Sequence, residues 1–113
     1  MDDKRVILCA SSKYEEKYYL NPEFEGLPQG IKDELQAMCV LFTEDIGGIL
    51  TMEFDEDANL QFVTMSDEND ILYDEIGSVL KIKQLRNTRR ELLESLEMYY
   101  KVFFLGQEIA EVE

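Results

Sequence analysis

The sequence predicts an α+β fold: a strand, a helix, a β-hairpin and a long C-terminal helix packed on one face of a small antiparallel sheet. Three observations carry it. Apolar side chains recur at spacings of three and four from Ile31 to Ile46. Two short runs after Gly47-Gly48 alternate with a period of two. Residues 71–105 then contain one glycine and no proline, with a seam of heptad spacing.

Taken in order, Val6-Ile7-Leu8-Cys9-Ala10 is a continuous apolar run with two β-branched residues, the pattern of a strand buried on both faces. Residues 11–27 support two readings. Ser12-Lys13-Tyr14-Glu15 has the spacing of a capping box, whereas Tyr18-Tyr19-Leu20 favours extended chain, so a short helix and a second strand both stay open. Asn21-Pro22 and Gly26-Leu27-Pro28 end whatever forms there. Pro28 suits a helix start, and Ile31, Leu35, Met38, Cys39, Phe42 and Ile46 then share one face while Lys32, Asp33, Gln36 and Thr43 fall on others. Gly47-Gly48 stops that helix. In the two runs that follow, Leu50, Met52 and Phe54, then Leu60, Phe62 and Thr64, alternate with polar positions across the loop Asp55-Glu56-Asp57-Ala58-Asn59, which is a hairpin signature. Ser66 or Asp67 is expected to open the last helix, whose first turn would welcome the acids that follow.

In that helix Ile82, Leu85, Arg89, Leu92, Leu96, Tyr99 and Phe103 recur at alternating spacings of three and four. Leu72, Ile76, Val79 and Leu80 sit in a shifted phase, which places a kink near residues 77–80. Thirty-five helical residues would extend about 50 Å, against a diameter of about 35 Å for a globule of this length, so the helix must break or project toward a partner. The regular seam favours a homodimer through Leu85, Arg89, Leu92, Leu96, Tyr99 and Tyr100, with Arg89 meeting an acid across the interface. Otherwise the helix wraps its own sheet. Phe103 is expected in the core and Tyr100 at the surface. The acidic tail at residues 107–113 is expected to fray.

Charge is segregated along the chain. Between Lys32 and Lys81 there is no cation, and residues 33–80 hold 13 carboxylates that supply nearly all of the net −14. Lys81, Lys83, Arg86, Arg89 and Arg90 then follow together; they pair with nearby acids or grip a carboxylate-bearing partner. A chain of 113 residues that is 45% hydrophobic and 11% aromatic folds as one domain rather than remaining an acidic disordered segment. No apolar run has the length of a membrane span, and the one near the N-terminus is too short for a secretory signal, so a cytoplasmic location is expected. Cys9 and Cys39, each within an apolar run, read as small buried hydrophobes.

Catalytic motifs are scarce. Histidine is absent, which removes the commonest general base and zinc ligand. Asp55-x-Asp57-x-Asn59 begins like an EF-hand calcium loop, but Leu60 stands at the glycine position and Ser66 at that of the bidentate glutamate. Gly47-Gly48 lacks the Lys-Ser/Thr of a phosphate loop, and Ser11-Ser12-Lys13 is half of a Ser-Lys arrangement with nothing to support it. No catalytic, cofactor-binding or metal-binding residue is assigned. The anionic surface disfavours direct nucleic-acid binding.

Tyr18-Tyr19-Leu20-Asn21-Pro22-Glu23-Phe24, Thr43-Glu44-Asp45-Ile46-Gly47-Gly48-Ile49-Leu50, Leu72-Tyr73-Asp74-Glu75-Ile76-Gly77-Ser78 and the closing Tyr99-Tyr100 and Phe103-Phe104-Leu105-Gly106 resemble a family of small acidic proteins of about this length from anaerobic Gram-positive bacteria. The resemblance implies one compact cytoplasmic domain and no assigned activity. The expectation is a non-enzymatic binding or adaptor protein, docking a basic protein through residues 53–75, with Asp55, Glu56, Asp57, Asp67, Glu68 and Asp70 as the contact residues. The alternatives are an inhibitor of a DNA-binding protein that imitates nucleic acid, and a small enzyme or divalent-metal binder using the acidic hairpin.

Overall fold

The computed structural model describes residues 5–106; the acidic tail and residues 1–4 lie outside them. Four strands, β1 (Val6–Ser12), β2 (Lys17–Leu20), β3 (Ile49–Phe54) and β4 (Leu60–Met65), form one antiparallel sheet in the order β2-β1-β3-β4. Helices α1 (Gln29–Ile46), α2 (Glu75–Thr88) and α3 (Arg90–Phe103) complete the α+β fold. Residues 11–27, open in sequence, form the β1–β2 hairpin and a 3-10 turn at Pro22–Phe24. Asn21 builds that turn: its Oδ1 accepts from the Glu23 N–H at 3.0 Å and its Nδ2 donates to the Ile7 carbonyl at 2.7 Å.

The period-two pattern puts Leu50, Met52 and Phe54 on the core face, opposite Thr64, Phe62 and Leu60 of β4. On β1 the register shifts between Ile7 and Cys9, and the extra residue lets Leu8 and Cys9 both face inward. Leu35, Met38, Cys39, Phe42 and Ile46 bring the α1 stripe onto this face. Thr43, expected elsewhere, is buried with them because its hydroxyl shares a hydrogen bond of 2.8 Å with Ser11. Cys9 and Cys39 are free thiols with sulfurs 3.6 Å apart, and their hydrogen bond, then burial, raises the Cys39 thiol well above its usual range.

The C-terminal third departs from the single long helix. The acids from Asp67 to Asp74 form an irregular segment, and α2 starts only at Glu75, where Asp74 accepts from the Gly77 N–H at 2.8 Å. No break occurs at residues 77–80. It falls instead at Arg89 (φ −114°, ψ 28°), which caps the end of α2 and the start of α3. Neither glycine nor proline marks that point. The driving force is tertiary: turning there lets Leu92, Leu93, Leu96 and Tyr100 of α3 reach the core.

An aromatic stack fastens the far end of α3. Phe54 lies 4.2 Å from Tyr100 and Phe24 lies 4.5 Å from Phe104, with rings close to parallel in both pairs. Tyr100 is therefore only 4% exposed and its phenol is pushed up by burial, whereas Phe103 is 70% exposed. This reverses the expectation for the two residues, because the half-buried Phe104, and not Phe103, stacks beside Tyr100.

Candidate binding surface

The hairpin loop between β3 and β4 is built around Asp55. Its Oδ1 accepts from the N–H groups of Asp57 and Asn59, both at 2.9 Å, and its Oδ2 accepts from Gln61 Nε2 at 2.9 Å. These bonds, the Asn59 N–H foremost, hold the Asp55 carboxyl below its usual range. Asp55 thus shapes the loop, and Glu56 and Asp57 are left exposed at its tip.

A second acidic loop follows β4. Here Tyr14, from the β1–β2 turn, accepts from the Asp67 N–H at 2.9 Å and donates to the Asp70 carboxylate, which raises the Tyr14 phenol. Asp70 also accepts from the Leu72 N–H at 3.0 Å. Further on, the Asp74 N–H donates to the Ile46 carbonyl at 3.0 Å, tying the segment to the end of α1. Tyr14 escaped notice in sequence because its partners are more than fifty positions away.

The six expected contact residues are therefore not one patch. Asp55, Glu56 and Asp57 lie at one end of β4, and Asp67, Glu68 and Asp70 at the other, separated by six strand residues, or about 20 Å. Charge balance separates these loops from the rest of the molecule. Glu25, Glu34, Glu44, Asp45 and Glu53 each lie within 3.6 Å of a Lys or Arg nitrogen. Among the described residues, none of the eight acids from Asp55 to Glu75 takes part in such a pair.

Between the two loops runs an open sheet edge. β4 pairs only with β3, and in an antiparallel ladder alternate residues turn their backbone groups outward. Leu60 is one of these: its N–H donates to Glu97 Oε2 at 2.8 Å and its carbonyl accepts from Arg86 at 3.1 Å. By the same alternation Phe62 and Thr64 present their N–H and C=O groups at the edge, where among the described residues nothing pairs with them. The strand itself, Leu-Gln-Phe-Val-Thr-Met, carries neither charge nor proline, the usual guards of an exposed edge.

The seam proposed for a dimer is taken up within the chain. Leu85, Leu92, Leu96 and Tyr100 are buried in its own core, with Tyr99 packed against them. Arg89 is exposed and pairs with Glu34 of the same chain at 3.0 Å, so it needs no acid from a second subunit. A broad hollow of about 730 Å³ opens over the α2–α3 break, lined by Glu34, Arg89, Arg90, Glu91 and Ser95 among others. Its cations are engaged locally, Arg89 with Glu34 and Arg90 with Asn87. Among the described residues no group of three or more Asp, Glu or Cys side chains is placed to hold a metal ion, and no helix is long and apolar enough to cross a membrane.

No curated protein and no solved structure matches the chain. A family model does, over residues 5–108, and the chain belongs to that family of unknown function, DUF6145.

Proposed function

We propose that the protein is a non-enzymatic adaptor of the cytoplasm that docks a basic protein partner along the edge of β4. The observation that carries this reading is the pair of acidic loops, whose Glu56, Asp57, Asp67 and Glu68 form no ion pair among the described residues, at the two ends of an open, uncharged edge strand. An extended segment of the partner adds to β4 through the backbone groups of Phe62 and Thr64, and its lysines or arginines reach Glu56 and Asp57 at one end and Asp67 and Glu68 at the other. Opposite charge steers the encounter and makes it salt-sensitive. The same charge repels phosphate backbones, so nucleic acid is not the partner.

The test is affinity capture from lysate at low and high salt, comparing wild type with two variants. Glu56→Lys/Asp57→Lys/Asp67→Lys/Glu68→Lys removes the charge. Thr64→Pro removes one outward N–H while leaving the β3–β4 ladder intact. A basic protein captured at low salt, released at high salt and lost in both variants is the expected result. Capture that ignores both changes would sink the proposal.

A further inference from the structure

Helix α2 has two faces of different fate. Ser78, Ile82 and Leu85 turn inward. On the opposite side Ile76 (76% exposed), Val79 (65%) and Leu80 (62%) form an apolar stripe, and Ile71 and Leu72 are exposed in the irregular segment before the helix. At about 100° per residue, positions 76, 79, 80 and 83 fall within an arc of about 100°. So exposed and contiguous an apolar stripe marks a protein–protein contact. In sequence the shifted phase of these residues reads as a kink; in the fold it is a second apolar face.

The ends of this face carry opposite charge. Asp70, Asp74 and Glu75 stand at its N-terminal end. Leu80 leads at the other end into a shallow hollow of about 530 Å³ lined by Lys83, Gln84, Arg86, Asn87 and Arg90. A uniformly basic partner would be repelled at one end and a uniformly acidic one at the other. The face carries its own complement.

We propose that the exposed face of α2 pairs with the same face of a second copy, the two helices antiparallel across a two-fold axis. That symmetry reverses the axial order, so apolar meets apolar at the centre and the acidic end of each helix meets the basic end of the other. A parallel arrangement would set like charges together. With Ile76 of one copy level with Leu80 of the other, Lys83 lies within about 3 Å, two residues of helical rise, of the level of Glu75. The net −14 of each copy opposes association at long range, and added salt screens that repulsion without weakening the apolar contact. Dimerisation therefore persists or strengthens at high salt, where docking of a basic protein on β4 is released.

Sedimentation equilibrium from about 1 µM to about 1 mM, at low and high salt, reads the association directly. A concentration-dependent dimer is expected. Val79→Glu should weaken it at least about 30-fold while leaving the melting temperature of the dilute monomer unchanged, because the side chain touches little in the monomer. Ile76→Glu, on the same face and in the first turn of α2 where a carboxylate is favoured, serves as the second variant should Val79→Glu disturb folding. Lys83→Glu and Glu75→Lys should each weaken the dimer several-fold, and the double swap should restore it. A monomer throughout the range, or a dimer indifferent to both Val79→Glu and Ile76→Glu, overturns the proposal. A charge swap that fails to restore binding overturns the antiparallel pairing.

Discussion

Replacing Gly48 by alanine probes how the acidic segment after β4 is held in place. Gly48 has φ +70°, and a Cβ built there would stand 2.5 Å from the Met65 carbonyl oxygen and 2.9 Å from the Tyr73 ring. The left-handed backbone costs an alanine about 1–2 kcal/mol. The clash is with a backbone oxygen of the strand paired to β3, which yields only if the end of β4 shifts, and overpacking of this kind adds about 1–2 kcal/mol. The expected loss is about 2–4 kcal/mol, or a fall in melting temperature of roughly 10–20 °C. Gly30→Ala is the control: nothing lies within 4 Å of its Cβ position in the first turn of α1, and the change should stabilise by about 0.5–1 kcal/mol. Urea unfolding followed by circular dichroism compares the three proteins, provided their m-values agree. A Gly48→Ala protein within about 0.5 kcal/mol of wild type would refute the argument, since the segment would then be free to move aside.

Two further outcomes follow from the core and the hairpin loop. Phe24→Ala, which removes a fully buried ring stacked on Phe54 and Phe104, should cost about 3–5 kcal/mol and weaken the near-UV aromatic signal, both read by chemical unfolding and circular dichroism. Asp55→Asn should lower the melting temperature at neutral pH; because the folded pKa of Asp55 lies below its unfolded value, this stabilisation is present above about pH 4 and lost as pH falls through the folded pKa, so the two melting curves should converge in acid.

The elements that rest on local pattern were legible from the residues themselves. The α1 stripe needs only the 3.6-residue period, and its stop needs only Gly47, at φ +92°, and Gly48. The β3–β4 hairpin needs only alternation and a polar loop. The C-terminal seam misled for the same reason: spacings of three and four run unbroken past Arg89, because α2 and α3 each bury one side of the same periodic run. The candidate surface was half legible. Sequence reasoning found the acids; the fold set them at opposite ends of β4, gave Asp55 and Asp70 to their own loops and supplied Tyr14 from a distant turn.

What the sequence alone determined is the fold class, the identity of α1 and the hairpin, and a surface dominated by negative charge. Periodicity, glycine conformation and net charge are properties of neighbouring residues, so they can be read without the fold. Only the tertiary structure decided where the long helix breaks, which strand is left at an edge, that Tyr100 rather than Phe103 is buried, and which face of α2 remains exposed. Each of those depends on which surfaces meet. A stripe of apolar side chains states that one face seeks cover, and only the packed chain shows whether that face has found it.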